Sequence, residues 1–449
     1  MLIEMEENPK INNNLEFLNN KYEQINDNNN LDILKDNNEQ INNDNKLELL
    51  NTNNEQYNKN NNLNSINDYN EQHKNNIDNN NNIDKSIPKE KTQRIYGLDL
   101  LKIIAVINII VLHINLCGNL LKLKSNDSRY KSVWILEAIS YGSVNIFGLI
   151  SGIVGYKKYK FSNLIYIWSQ ASFYSIIISI YIYYYDVIPL IQLIISFLPM
   201  LLGRLWYLNA YFCMYLFLPF INLGINYLNR KTYNNLILIF FLFFSIYTIV
   251  GEVLLERKNN FNFLDRGYTS CWLAILYIVG AYFGKFILFK EINFSLKYYI
   301  LWIFIFIFTS FITSFMLFKF DKTLFYNYVS PSIVLQALSL VIVFSKLNIK
   351  KKFITKIIGF VSPFTFNIIF VHARLFLPTI PIKTWFFRIV NDLNPKVIFF
   401  KIYGLAIIVF IICSIVDYLR SLLFKILRIR DFCIFTEKKI TLILNKINF

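Results

Sequence analysis

The chain has 449 residues, 54% of them hydrophobic and 17% aromatic, and its net charge of +16 is unevenly shared. Residues 1–93 hold 9 Lys against 17 Asp and Glu, a balance of −8, so the basic excess lies wholly in the remainder. There it sits in short stretches between apolar runs, as a membrane-topology signal does, which argues against a nucleic-acid partner.

Residues 1–92 form an Asn-rich, glycine-free tract. Such a tract buries too little apolar surface to fold alone, and a disordered tail is expected, with His73 a solvated residue within it. Polar as it is, it predicts no secretory signal ahead of the first span. From Leu98 to Leu419, apolar runs of about 18 or more residues recur, each long enough to cross a hydrocarbon core about 30 Å thick. The runs are continuous and do not alternate at period two. They predict an all-α integral membrane protein, a bundle of about ten transmembrane helices behind the N-terminal tail. The expected spans are 98–121, 134–156, 164–185, 206–227, 235–254, 272–289, 298–318, 328–345, 359–377 and 397–419.

The stretch Val187–Leu202 is short and holds Pro189 and Pro199. Read as interfacial or re-entrant, it leaves the basic loops at Lys157/Lys158/Lys160, Arg230/Lys231, Lys285/Lys290/Lys297 and Lys346–Lys356 on the side of the N-terminus. The basic C-terminal residues Arg420, Lys425, Arg428 and Arg430 join them, which predicts both termini in the cytoplasm and leaves the compartment open. The chain then divides into a tail (1–92), a membrane domain (93–422) and a short basic C-terminal tail (423–449). Five cysteines show no paired spacing and read as small packing residues.

The first span carries Asp99, Lys102 and His113 within aliphatic sequence. Ionisable groups are costly to place in a membrane and mark function by default, and histidine suits proton transfer near neutral pH. Lys102 and His113 are eleven residues apart, about three turns and roughly 16 Å of rise, so they share one helix side at different depths. Asp99, one turn before Lys102, is placed to pair with it. His372 occupies a similar depth in the ninth span; whether the two histidines meet is a matter of tertiary structure.

Four blocks carry a resemblance: Arg94-Ile-Tyr-Gly97-Leu98-Asp99 through Lys102 to His113; VNIFGLISGIVGYKK (Val144–Lys158), with Ser151 and Gly152; RLWYLNAYFCMYLFLPFIN (Arg204–Asn222), with Trp206, Tyr207 and Leu208; and SPFTFNIIFVH (Ser362–His372). In this order they resemble the acyltransferase-3 family of multi-pass membrane acyltransferases, over roughly residues 94–420. The first block matches that family's basic residue, ten intervening residues and a histidine, with Lys102 where arginine is usual. Lysine keeps the charge and loses the bidentate fork, a role Arg94 can share. Phe370 is a milder departure before the late histidine.

The resemblance implies transfer of an acyl group, often acetyl, from a cytoplasmic acyl-CoA co-substrate to a hydroxyl of a sugar, glycan, lipid-linked or similar acceptor, with no tightly bound cofactor. Such transfer needs a base for the hydroxyl proton and stabilisation of an oxyanion. His113 is then base or acyl carrier, Asp99 shapes the local field, and Lys102 and Arg94 meet the acyl-CoA. His372, Trp206 and Tyr207 contact the acceptor, against the plainer readings of a packing histidine and interfacial anchors. Ser151-Gly152 reads as a small-residue helix contact, and Arg374 as an interfacial charge or an anion contact.

No GxxxxGK[ST], no GxGxxG after a strand and no HExxH occurs, and the scattered histidines make no expected metal site. The sequon at Asn126 lies close to the membrane in the first outer loop. Two rivals remain: a transporter or lipid or glycan flippase, and a family member without activity. Few Gly or Pro interrupt the predicted spans, and no internal repeat is visible.

Overall fold

A computed structural model describes residues 94–157, 159–186, 190–199, 206–255, 264–287, 295–320, 325–375, 394–395 and 397–446. The expected tail at 1–92 with His73, Arg204 and the side chain of Arg374 lie outside this description. In chain order the helices are α1 (Tyr96–Cys117), α2 (Tyr130–Tyr141), α3 (Ser143–Gly155), α4 (Phe161–Asp186), α5 (Leu190–Ile195), α6 (Trp206–Tyr227), α7 (Arg230–Phe241) and α8 (Tyr247–Leu255). They continue as α9 (Ser270–Phe286), α10 (Leu296–Phe320), α11 (Pro331–Ser345), α12 (Lys352–Val361), α13 (Thr365–Leu375), α14 (Ile398–Ile426) and α15 (Ile429–Lys446).

Among the described residues there is no strand, and 8 helical segments are long and apolar enough to cross a membrane. Two shorter apolar helices, α9 and α11, accompany them. These segments coincide with the runs read from the sequence, because span length and apolar content are properties of the local chain. The segment Val187–Leu202 is described from Leu190 to Pro199, and those described residues contain the six-residue α5. At about 9 Å, α5 is too short to span.

Residues 429–446, read as a basic tail, form helix α15, which packs on α4. The amide of Phe161 donates to Glu437 Oε1 at 2.6 Å, Arg430 Nη2 donates to Asn163 Oδ1 at 2.5 Å, and the Arg430 guanidinium lies over Tyr166.

Helix α1 sits at the centre, against α2, α3, α11, α13 and α14. Helices α3 and α9 form the closest pair because small residues let their backbones meet. A Cβ on Gly152 would fall 2.0 Å from the Tyr277 carbonyl oxygen, and one on Gly280 would fall 2.0 Å from that of Leu149. Gly152 thus acts as the small-residue contact expected for it.

Among the described residues three spans are broken, more than the sequence reading anticipated. Between α2 and α3 the chain breaks at Gly142, whose amide donates to Gln336 Oε1 at 2.9 Å, while Gln336 Nε2 donates to the Ala138 carbonyl. Between α7 and α8 a π-helical turn covers Leu242–Ile246, and Ser245 Oγ donates to the Val329 carbonyl. Between α12 and α13 a 3-10 turn covers Ser362–Phe364, with Pro363 at its start. Backbone groups freed at membrane depth must find protein partners, and the Gln336 side chain supplies them at the first break.

Candidate active site

At the N-terminal end of α1, Asp99 is a hub. Its Oδ2 accepts from Arg94 Nε at 2.5 Å, and its Oδ1 from Lys102 Nζ at 3.1 Å and Ser362 Oγ at 2.8 Å. The broken span between α12 and α13 delivers Ser362, so a carboxylate on the first span is completed by a residue 263 positions away in the chain. Two cations around one carboxylate leave net positive charge beside a cavity of about 390 Å³, lined by these residues with Ser151, Tyr211 and Phe366. Arg94 also donates to the Gly359 carbonyl and lies over Tyr96. Arg94 therefore supplies, on the same carboxylate, the guanidinium that Lys102 lacks.

Fourteen residues further along α1, about 21 Å of rise, lies His113. Its Nδ1 is 2.8 Å from His372 Nε2, and His372 Nδ1 is 2.6 Å from the carbonyl oxygen of Ile368. A carbonyl only accepts, so His372 Nδ1 carries the proton. In a neutral ring its Nε2 then accepts from His113 Nδ1–H, which puts the lone pair of the couple on His113 Nε2. His372 is fully buried and behind His113, whose ring borders a second cavity of about 370 Å³.

That cavity is walled by Glu137, Tyr141, Trp206, Tyr207, Tyr268 and Tyr328 among others. Its aromatic wall is held from outside. Asn145 Nδ2 donates to the Tyr328 carbonyl and accepts on Oδ1 from Trp272 Nε1, while the Tyr328 amide donates to the Arg266 carbonyl. The turn that presents Tyr268 holds Asp265 (φ 37°), Arg266 (φ 54°) and Gly267 (φ 93°) in the left-handed region. For the two non-glycine residues this is strained backbone, of the kind that persists where the surroundings overdetermine it. A Cβ on Gly267 would meet Tyr328 Cβ at 2.5 Å, so glycine answers both the φ and the space.

The structure thus sorts the expected residues into two groups. His113, His372, Trp206 and Tyr207 come together; Arg94, Asp99 and Lys102 come together elsewhere. Asp99 is distant from His113 and cannot act on it directly. One helical turn of α6 separates the cavities, since Tyr207 lines one and Tyr211 the other, with ring centroids 6.2 Å apart. Reading the sequence missed Glu137, Tyr268 and Tyr328. Glu137 carried the same signal as His113, an ionisable residue inside an apolar run. The tyrosines lie between helices, where no periodicity marks them.

The chain is thus an apolar helical bundle with a histidine couple deep in it, one aromatic cavity and one cationic cavity. Residues 95–416 match the acyltransferase-3 family, described as an acyltransferase domain, and the chain belongs to that family. It is an integral membrane acyltransferase. No curated protein and no solved structure matches the chain.

Proposed function

We propose that this acyltransferase moves an acyl group, in the first instance acetyl, from acyl-CoA to a hydroxyl of a sugar, glycan or similar acceptor, with His113 as general base. The observation that carries the reading is the relay from the Ile368 carbonyl through His372 to His113, which leaves a lone pair on the ring that borders a cavity. The cationic cavity takes the phosphates of acyl-CoA, held by Arg94 and Lys102, while Asp99 fixes both cations. The distance from there to His113, about 21 Å along α1, is of the order of an extended phosphopantetheine arm. That arm would pass along the stripe of Tyr215, Tyr211 and Tyr207 toward the histidine.

In the transfer step the acceptor oxygen bonds to the thioester carbonyl carbon as its proton passes to His113 Nε2. The tetrahedral adduct then collapses, the carbon–sulfur bond breaks, and the departing thiolate takes the proton from His113. Should His113 Nε2 instead attack the thioester, the same lone pair would carry the acyl group. The basic loops support a reading with the donor side and both termini toward the cytoplasm.

The test is transfer of radiolabelled acetyl from acetyl-CoA to a panel of sugar acceptors by purified wild type and His113→Ala. Loss of transfer by a factor of about 10² or more in the variant is expected. Equal label in both would refute the role of His113. Substrate counterflow in liposomes without any acyl donor would favour the transporter reading instead.

A further inference from the structure

Glu137 lines the His113 cavity and is only 5% exposed. Its Oε2 accepts from Asn115 Nδ2 at 2.9 Å, a neutral donor on a fully buried side chain. Among the described residues the ion pairs join Arg94 and Lys102 to Asp99, Arg129 to Asp127 and Arg420 to Asp417, and none reaches Glu137. No Lys or Arg is among the residues lining this cavity; Arg266 is close enough for its charge to act on Tyr141 but stands outside the lining. A carboxyl withdrawn from water carries its charge only beside a counter-charge, and the open space next to it is where one can sit.

The rest of the wall has matching chemistry. Trp206 and Tyr268 rings lie 4.5 Å apart, Tyr141 and Tyr328 4.9 Å, and Trp206 stacks on Tyr328 at 5.7 Å. Aromatic faces are electron-rich, and several converging on one space attract a cation that has shed its water. A carboxylate and such a wall together are unlike the opposite end of α1, where the protein itself supplies the positive charge.

We propose that the cavity beside His113 binds an acceptor carrying an ammonium group next to its reacting hydroxyl, an amino sugar or amino alcohol, with Glu137 as counter-ion and Trp206, Tyr268 and Tyr328 as walls. The proposal rests on the acyl-transfer reading for the hydroxyl and on the cavity alone for the charge. Held at Glu137, the ammonium cannot react, and the neighbouring hydroxyl is the group turned toward His113.

Binding of glucosamine, glucose and tetramethylammonium to the purified full chain is measured by titration calorimetry, with Glu137→Gln alongside. Glucosamine is expected to bind wild type at least tenfold more tightly than glucose, tetramethylammonium is expected to compete with it, and Glu137→Gln to lose the preference. Equal binding of the two sugars to wild type, or an unchanged preference in Glu137→Gln, overturns the proposal. Should Glu137→Gln fail to fold, as read by thermal unfolding, Tyr268→Ala at the cavity rim serves: unchanged tetramethylammonium binding there counts against the wall. Selective binding of glucosamine without any acetyl transfer keeps the cation site and sinks the acyl-transfer reading. Equal transfer to glucose and glucosamine does the reverse.

Discussion

At one end of α1, Asp99 is ringed by Arg94, Lys102 and Ser362 and faces a cavity with surplus positive charge. At the other, His113 leans on His372, and its cavity offers a carboxyl group and aromatic rings. The same helix therefore serves two electrostatic environments, separated by a single turn of α6. An exposed, cationic end suits a phosphate-bearing reagent that must bind and leave. A buried end without lysine or arginine in its lining suits a neutral histidine that takes a proton. The comparison teaches that the ionisable residues of the first span, all on one helix, are divided between two cavities.

Substitutions can break both ends, either end, or neither. Gly152→Val is expected to have the largest effect, because its side chain would collide with the Tyr277 carbonyl and the Ala281 amide and force α3 from α9. Helix α3 walls both cavities, so a destabilisation of about 3 kcal/mol or more and loss of all activity are expected. Thermal unfolding in detergent checks this, and a wild-type melting temperature would contradict the close contact.

His372→Phe breaks only the buried end. Removing the ring that orients His113 is expected to lower kcat by about 10²-fold while KM for acyl-CoA stays within a factor of about two. Steady-state kinetics decide, and a change confined to KM would mean that His372 does not act through His113. Lys102→Ala breaks only the cationic end. Loss of one charge-assisted contact is expected to raise KM for acyl-CoA by about tenfold with kcat nearly unchanged, and Lys102→Arg to restore it. A fall in kcat alone would place Lys102 with the chemistry instead.

Glu437→Gln breaks neither end and has the smallest effect. Partial burial works against the Glu437 charge, but hydrogen bonds from Ser162 and the Phe161 amide, with Lys160 nearby, outweigh it and hold the carboxyl below its ordinary range. Its stabilising contribution is therefore present at neutral pH and lost as pH falls through that range. Faster hydrogen exchange confined to α15 is expected in the variant at pH 7, with the difference from wild type vanishing in acid. Unchanged exchange at pH 7 would show that the contact does not hold α15.

Much of the fold was legible because the signals are local. Apolar runs of bilayer length marked the spans, and the family blocks marked Arg94, Asp99, Lys102, His113 and His372. Glu137 was legible by the same rule and was passed over inside the run at 134–156. The break at Gly142 was harder to see, because its backbone groups are satisfied from afar by Gln336. Tyr268 and Tyr328 could not be read at all, since their positions follow from turns pinned by Asn145 and Gly267.

By itself the sequence determined that the chain crosses a membrane many times and that a few ionisable residues are buried there, because length, hydropathy and rarity are written residue by residue. Tertiary structure alone decided that His113 meets His372 rather than Asp99, and that Ser362 closes on Asp99. Those contacts depend on how α13 is rotated and broken against α1, a matter of packing between helices more than two hundred residues apart that no local pattern encodes.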